Sequence, residues 1–260
     1  MAESKLKPQV YKDPRPAEYF TKYHTAARKG IGFTYEVVRM ILTLPSVLIY
    51  RLRAIGVSNV PTHGACIVTP NHFSQMDHFF AAIFQRRKVQ FMAKSQMFSN
   101  PLFRFVFQHG GVFPVRRGYH DQEAVKTANT VLDRGGCVLM YAEGGRSRSG
   151  ELGKPKRGVG KLALENGVPV VPVAIHGSAG VRSWKKLRFP KVTVQYGEPI
   201  AFPKVEGATP EQQQEAADRV FDEVRRLYVA LEEKGRTGVL KALREAVAKP
   251  DAAPAQPHSS

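Results

Sequence analysis

The chain has 260 residues, enough for one large domain with a sizeable core, and with 43% hydrophobic and 23% charged residues its composition is that of a globular protein. Its 39 Lys and Arg against 22 Asp and Glu give a formal net charge of +17, which favours a polyanionic partner: nucleic acid, an anionic bilayer or a phosphorylated substrate. Only Cys66 and Cys137 are present, each inside an apolar run, which excludes a disulfide framework and a metal-type cysteine site and points to two buried, reduced thiols.

Residues 1–16 are polar and contain proline, the pattern of a flexible arm. They lack the apolar core of a signal peptide, so the folded domain is expected on the cytoplasmic side. Residues 17–53 form a different segment. The stretch 17–29, carrying Tyr19, Phe20 and Tyr23, reads as a short helix. The apolar run 31–50 is long enough to cross a bilayer, but Glu36 and Arg39 lie inside it and Pro45 interrupts it. With Arg28 and Lys29 before it and Arg51 and Arg53 after it, it fits a monotopic helix in the headgroup layer. An ordinary helix packed on the domain fits as well.

From residue 54 to 234 the pattern alternates. Strands are expected at 65–69, 89–92, 112–116, 137–142, 168–175 and 192–196, and helices at 76–84, 101–107, 121–133, 158–166 and 210–233. Strands separated by helical runs argue for an α/β domain around a central, mostly parallel sheet flanked by helices. Residues 235–260 read as a short basic helix and a disordered tail.

The stretch Asn71-His72-Phe73-Ser74-Gln75-Met76-Asp77 follows a strand and opens a helix. A catalytic histidine needs a carboxylate on its far ring nitrogen to hold the tautomer and balance the imidazolium. Side chains five residues apart on one helix point about 140° away from each other. The pair therefore meets only if His72 lies in the loop and Asp77 in the first helical turn. The competing reading is a capping box from Ser74 to Asp77, with His72 a bystander.

Three more segments carry chemistry. Gly110 to Arg117 is a strand ending in two arginines, Arg116 and Arg117, and arginine can grip a phosphate through two hydrogen bonds. Glu143-Gly144-Gly145-Arg146-Ser147 follows a strand, at the edge where α/β proteins bind ligands. Val171-Pro172-Val173 lies within another strand.

In this order the four segments resemble the motifs of the 1-acylglycerol-3-phosphate (lysophosphatidate) acyltransferases of the glycerophospholipid acyltransferase superfamily. Asn71, His72, Ser74 and Asp77 match the first motif. Gly110, Phe113 and Arg116 match the second; Glu143, Gly144, Arg146 and Ser147 the third; Val171–Val173 the fourth. Lys94 falls where the family tends to place a lysine. Gly145 stands where the family has threonine, and Pro155-Lys156-Arg157-Gly158 replaces a Phe-Lys-x-Gly run; both departures fall where the acceptor head group is expected.

The resemblance implies an acyl-CoA or acyl carrier protein thioester as donor and a lysophospholipid as acceptor, with no cofactor or metal required; since both cysteines sit in apolar runs and Ser147 is only a weak candidate nucleophile, direct transfer is the simplest scheme. His72 would be the base and Asp77 its orienting carboxylate. Arg116, Glu143 and Arg146 would form the acceptor phosphate site, with Lys94, Gly110, Phe113, Gly144, Gly145 and Ser147 around it. Glycerol-3-phosphate, another lysophospholipid or a glycolipid are alternative acceptors. Residues 81–120 hold seven Lys or Arg and no Asp or Glu, with phenylalanines between them. That suits an anionic membrane surface. Basic residues among aromatics also suit nucleic acid, which is kept as a different-class reading although no nucleic acid is expected, as is a lipid-binding protein without turnover.

Overall fold

The structure, a computed structural model, describes residues 12–119, 121–147, 149–181 and 189–248. After a 3₁₀ turn at Ala17–Phe20 come helices α1 (Thr21–Lys29) and α2 (Thr34–Ile49). The chain then alternates: β1 (Arg53–Ile55), β2 (Cys66–Pro70), α3 (Asp77–Phe80), β3 (Gln90–Lys94), α4 (Pro101–His109), β4 (Phe113–Val115), α5 (Gln122–Asp133) and β5 (Cys137–Leu139). It continues through α6 (Gly158–Asn166), β6 (Val170–His176), β7 (Thr193–Tyr196) and α7 (Pro210–Ala248).

The seven strands form one sheet in the order β1-β7-β6-β2-β5-β3-β4. All neighbouring pairs are parallel except β6 with β7. β1 is too short and too charged to read as a strand in sequence; it forms because β7 offers it a free edge. Pro172 lies in an interior strand, where a missing N–H is normally excluded. Its position is tolerated because β7 pairs only with residues 173–176, and beyond that the Pro172 carbonyl accepts from Gly197 N at 2.8 Å.

Alternation along the strands divides the core. Cys66 and Val68 of β2 enter one buried cluster with Phe80, Phe91 and Tyr196, while Ile67 faces the other with Val159, Val220 and Phe221. Helices α5, α6 and α7 cover that second face. The α6–α7 crossing is close enough that a Cβ on Gly160 would collide with the Gln213 carbonyl oxygen.

The N-terminal segment departs from expectation. Asp13 is buried and paired with Arg15 at 2.7 Å, which holds its carboxyl down at about 2, and Arg15 Nη2 also donates to the Ser95 carbonyl at 2.8 Å. Residues 12–16 are thus docked rather than a flexible arm, because a desolvated carboxylate stays only where a cation and fixed donors hold it. Residues 1–11 of that expected arm, and 249–260 of the expected tail, lie outside the described residues. α1 is core: Tyr23 packs on Phe98, and His24 hydrogen-bonds Thr127 Oγ1 at 3.0 Å. α2 differs. Its Glu36–Arg39 pair neutralises the internal charges at 2.5 Å, while Met40, Leu44 and Leu48 are exposed. Among the described residues no single helix is long and apolar enough to cross a membrane; α1 and α2 reach that length and composition only together, with an 85° bend between them.

Candidate active site

β2 and β5 are neighbours and run parallel, so the loops leaving their C-terminal ends meet. Asn71 staples the first loop to β6: its Nδ2 donates to the Ile175 carbonyl at 3.1 Å and its Oδ1 accepts from Ile175 N at 2.7 Å. The side chain thereby continues the sheet's ladder after the backbone has turned away, and it positions the next residue, His72.

His72 Nδ1 lies 3.0 Å from Asp77 Oδ2. The same carboxylate oxygen accepts from Phe73 N and Ser74 N, each at 2.7 Å. Asp77 therefore closes the loop as half of a capping box and also holds the imidazole, so His72 is no bystander to the cap. The carboxylate keeps a proton on Nδ1 and leaves Nε2 with its lone pair. Burial lowers the His72 pKa, Asp77 opposes that, and the charges of Arg146 and Arg117 lower it further, so the neutral, proton-accepting form is the resting one at neutral pH.

The second loop clamps the first. Glu143 Oε1 accepts from His72 N at 2.9 Å and its Oε2 from Gly153 N at 2.8 Å; Ser147 N donates to the His72 carbonyl at 2.8 Å. Glu143 is buried, and desolvation raises its pKa against these hydrogen bonds. Gly144 turns at φ 66°, and the Lys156 chain lies across it, with Nζ 3.3 Å from where a Cβ would stand. Tyr141 stacks on the His72 ring at 3.8 Å and 17°. His78 meets His72 edge-on at 5.2 Å, and burial pushes its pKa down to about 3. Neither Tyr141 nor His78 was visible as a site residue in sequence. The aromatic residue follows a strand and the histidine opens a helix, with no motif to separate them from core residues.

His78 also lines an apolar cavity of about 460 Å³ enclosed by α2, α3, α4 and β3, with Val38, Leu42, Phe79, Phe91 and Phe103 in its wall. The cavity therefore begins beside the His72–Asp77 pair.

Several expected substrate contacts sit elsewhere. Phe113 is fully buried in the core against His24 and is not part of the apolar cavity's wall. Gly110 caps α4, donating to the Val106 carbonyl at 2.7 Å; it borders the apolar cavity rather than a phosphate site. Glu143 spends both oxygens on backbone N–H groups, and a carboxylate repels a phosphate, so it positions the loop instead. Arg116 faces the N-terminal segment: Nη2 donates to the Arg15 carbonyl at 3.1 Å and its guanidinium lies 4.2 Å from the Tyr119 ring. Its neighbour Arg117 is the one whose charge acts on His72 and His78. Both arginines lie beyond the end of β4, and the Arg116 Nε is buried without a hydrogen-bond partner within the protein. Arg146 acts on His72 too, whereas Lys94 ends β3, two strands away from β2.

Residues 51–176 match the family model described as Acyltransferase. The chain is 25% identical over 152 residues to the chloroplastic 1-acyl-sn-glycerol-3-phosphate acyltransferase of Brassica napus, covering 57% of this chain and 44% of that one. It is 31% identical over 146 residues to the human 1-acyl-sn-glycerol-3-phosphate acyltransferase beta, covering 52% and 50%. The chain thus spans about half the length of the curated relatives it matches. The crystal structure of the 1-acyl-sn-glycerophosphate (LPA) acyltransferase PlsC from Thermotoga maritima has the same fold, with a TM-score of 0.57 at 22% identity over 82% of this chain and 83% of that one.

Proposed function

This chain carries an acyltransferase-family domain over residues 51–176, and on that premise we propose that it transfers a fatty acyl group from a thioester to the free hydroxyl of 1-acylglycerol-3-phosphate, forming phosphatidic acid. One observation carries the reading: a neutral, buried His72 held by Asp77 and touching His78, which lines an apolar cavity. His72 Nε2 takes the proton of the acceptor hydroxyl as its oxygen attacks the thioester carbonyl. The tetrahedral intermediate collapses, the C–S bond breaks, and the imidazolium returns the proton to the departing sulfur. A C–O bond replaces the C–S bond and no group is left on the protein. Asp77 balances the imidazolium charge in between. The cavity between α2 and α4 takes the acyl chain of the donor, acyl-CoA or acyl carrier protein.

The acceptor phosphate is held by arginines that leave the strands next to this site: Arg146 in the loop clamped to His72 through Ser147, and Arg117 or Arg116 after β4. The names of the relatives support a lysophosphatidate acceptor, and Gly145 and Lys156 are where another acceptor would be accommodated. The reaction takes place at the cytoplasmic face of an anionic bilayer, on which the protein lies as a peripheral or monotopic enzyme. Supporting this are the exposed Phe33, Met40, Leu44 and Leu48 of the α2 region and Leu102 and Phe105 of α4, alongside a net charge of +17.

The test is thiol release from acyl-CoA with lysophosphatidate, and mass spectrometry of the products from a panel of lysolipids. Wild type should form phosphatidic acid. His72→Ala should lower turnover about a hundredfold or more with its unfolding temperature unchanged, and Asp77→Asn should be comparably severe. Near-normal turnover by His72→Ala would overturn the mechanism.

A further inference from the structure

A second cationic cluster lies at the β1–β7 edge of the sheet, where α7 meets the segment that follows α2. α7 is broken at Gly235, whose φ of 61° and ψ of 177° are not helical. The break turns Arg236 onto the edge of the sheet. Its Nε donates to Thr193 Oγ1 at 3.0 Å, and its Nη2 to the carbonyls of Arg51 at 3.0 Å and Val192 at 2.9 Å. Arg51 and Arg53 follow directly on α2, and both are exposed. Burial lowers the Arg236 pKa first, and the charges of Arg53 and then Arg51 lower it further. Among the described residues no Asp or Glu pairs with any of the three. Arg51 is also the one described non-glycine residue with positive φ, at 46°, a conformation such residues seldom take.

Three cations gathered without a carboxylate repel one another, and an external anion would complete the arrangement. Guanidinium groups match phosphate oxygens through paired hydrogen bonds. What flanks the cluster identifies the source of the phosphate. Beyond Gly235, Leu240, Leu243 and Val247 are exposed, Val247 at 85%, and their spacing places them on one helix face. On the other side the exposed Leu48 and Ile49 end α2. Cations set between two exposed apolar helix ends fit a lipid head group with hydrocarbon on either side, and do not fit a freely diffusing anion.

We propose that Arg51, Arg53 and Arg236 form a binding site for the phosphate of an anionic phospholipid, and that the helix after Gly235 lies in the bilayer interface beside α2 as a second membrane contact. The inference rests on the membrane reading of α2 given above. It makes anionic-lipid preference depend on a contact at the β1–β7 edge of the sheet, shared between residues 185 positions apart in sequence.

The experiment is sedimentation of the full chain with vesicles of phosphatidylcholine alone and of phosphatidylcholine mixed with phosphatidylglycerol. Arg51→Gln with Arg53→Gln is the first variant; Arg236 is left in place because its hydrogen bonds hold the β1–β7 edge. Wild type should prefer the anionic vesicles. The double variant should lose roughly fivefold in affinity for them per arginine removed, with neutral vesicles unaffected. Leu240→Ser with Leu243→Ser, on an exposed face that folding does not require, should weaken binding to both vesicle types. Turnover of lysophosphatidate in detergent micelles should stay at the wild-type level in both variants. An unchanged anionic preference in the arginine variant, unchanged binding by the serine variant, or wild-type binding to neither vesicle overturns the proposal. Absence of turnover by wild type would overturn the enzymatic reading instead, whatever the vesicles report.

Discussion

Glu143 is the residue that joins the two loops of the site. A carboxylate buried between two backbone N–H groups can do this only while both oxygens accept. Glu143→Gln presents an NH₂ to one of those donors and leaves it unsatisfied, a loss of about 1–3 kcal/mol. Turnover should fall about tenfold or more with the Michaelis constant for the phosphorylated acceptor unchanged, which steady-state kinetics with the acceptor varied will show; a rise confined to that constant would return Glu143 to the phosphate site. The two arginines separate in the same assay. Arg117→Lys keeps the charge but loses the two-pronged guanidinium donor, and should raise the acceptor's Michaelis constant about tenfold. Arg116→Lys, whose partners are Arg15 and Tyr119, should leave it near the wild-type value. Equal effects from both would place the phosphate site elsewhere, around Arg146 or Lys156.

Among the elements, α6 and α7 show how a glycine sets helix spacing. A methyl on Gly160 would meet the Gln213 carbonyl and Ala217 N, both backbone atoms that cannot swing aside. Gly160→Ala should destabilise the protein by about 1–3 kcal/mol through overpacking, although alanine is the better helix former. Chemical denaturation measures this directly, and an unchanged midpoint would mean the helices separate freely. α5 presents the opposite case. Asp121 accepts from Ala124 N at 3.2 Å as its N-cap and also from Arg116 N at 2.7 Å, so one carboxylate starts the helix and fixes the turn leaving β4.

For the whole molecule, burial has an acid-side consequence. His24, His72, His78 and His176 all have lowered pKa values with desolvation as the largest cause, His78 down to about 3. In the unfolded chain these rings protonate near the ordinary value of 6.5. Below that pH the unfolded state binds more protons than the folded one, so stability falls as pH falls. The loss should begin near pH 6.5 and, for His78, continue to about 3. Melting temperatures across this range should decline with acid, and His78→Leu should flatten the slope; a slope unchanged by that substitution would assign the effect to the other histidines or to carboxylates.

Strand and helix order came through the sequence because each is a local matter of periodicity. The interior strands β2, β5 and β6 are short apolar runs bounded by turns, and the predicted helix at Gly158–Asn166 has the limits observed. The His72–Asp77 spacing was legible for the same reason, since both ends of the contact lie within one loop and one helical turn. Other features depend on residues distant in sequence. β1 needed the edge of β7, and residues 12–16 needed Ser95 to dock on. Arg116 meets the Arg15 carbonyl across 101 positions of chain, a contact no local pattern announces. Tyr141 and His78 join the site because β5 and α3 converge on it, and Glu143 becomes a strut because β2 and β5 are neighbours. Chemistry carried on one short segment was determined by the sequence itself; orientation, partners and the apolar cavity were decided only by tertiary structure, because each is a contact between surfaces that chain connectivity alone does not bring together.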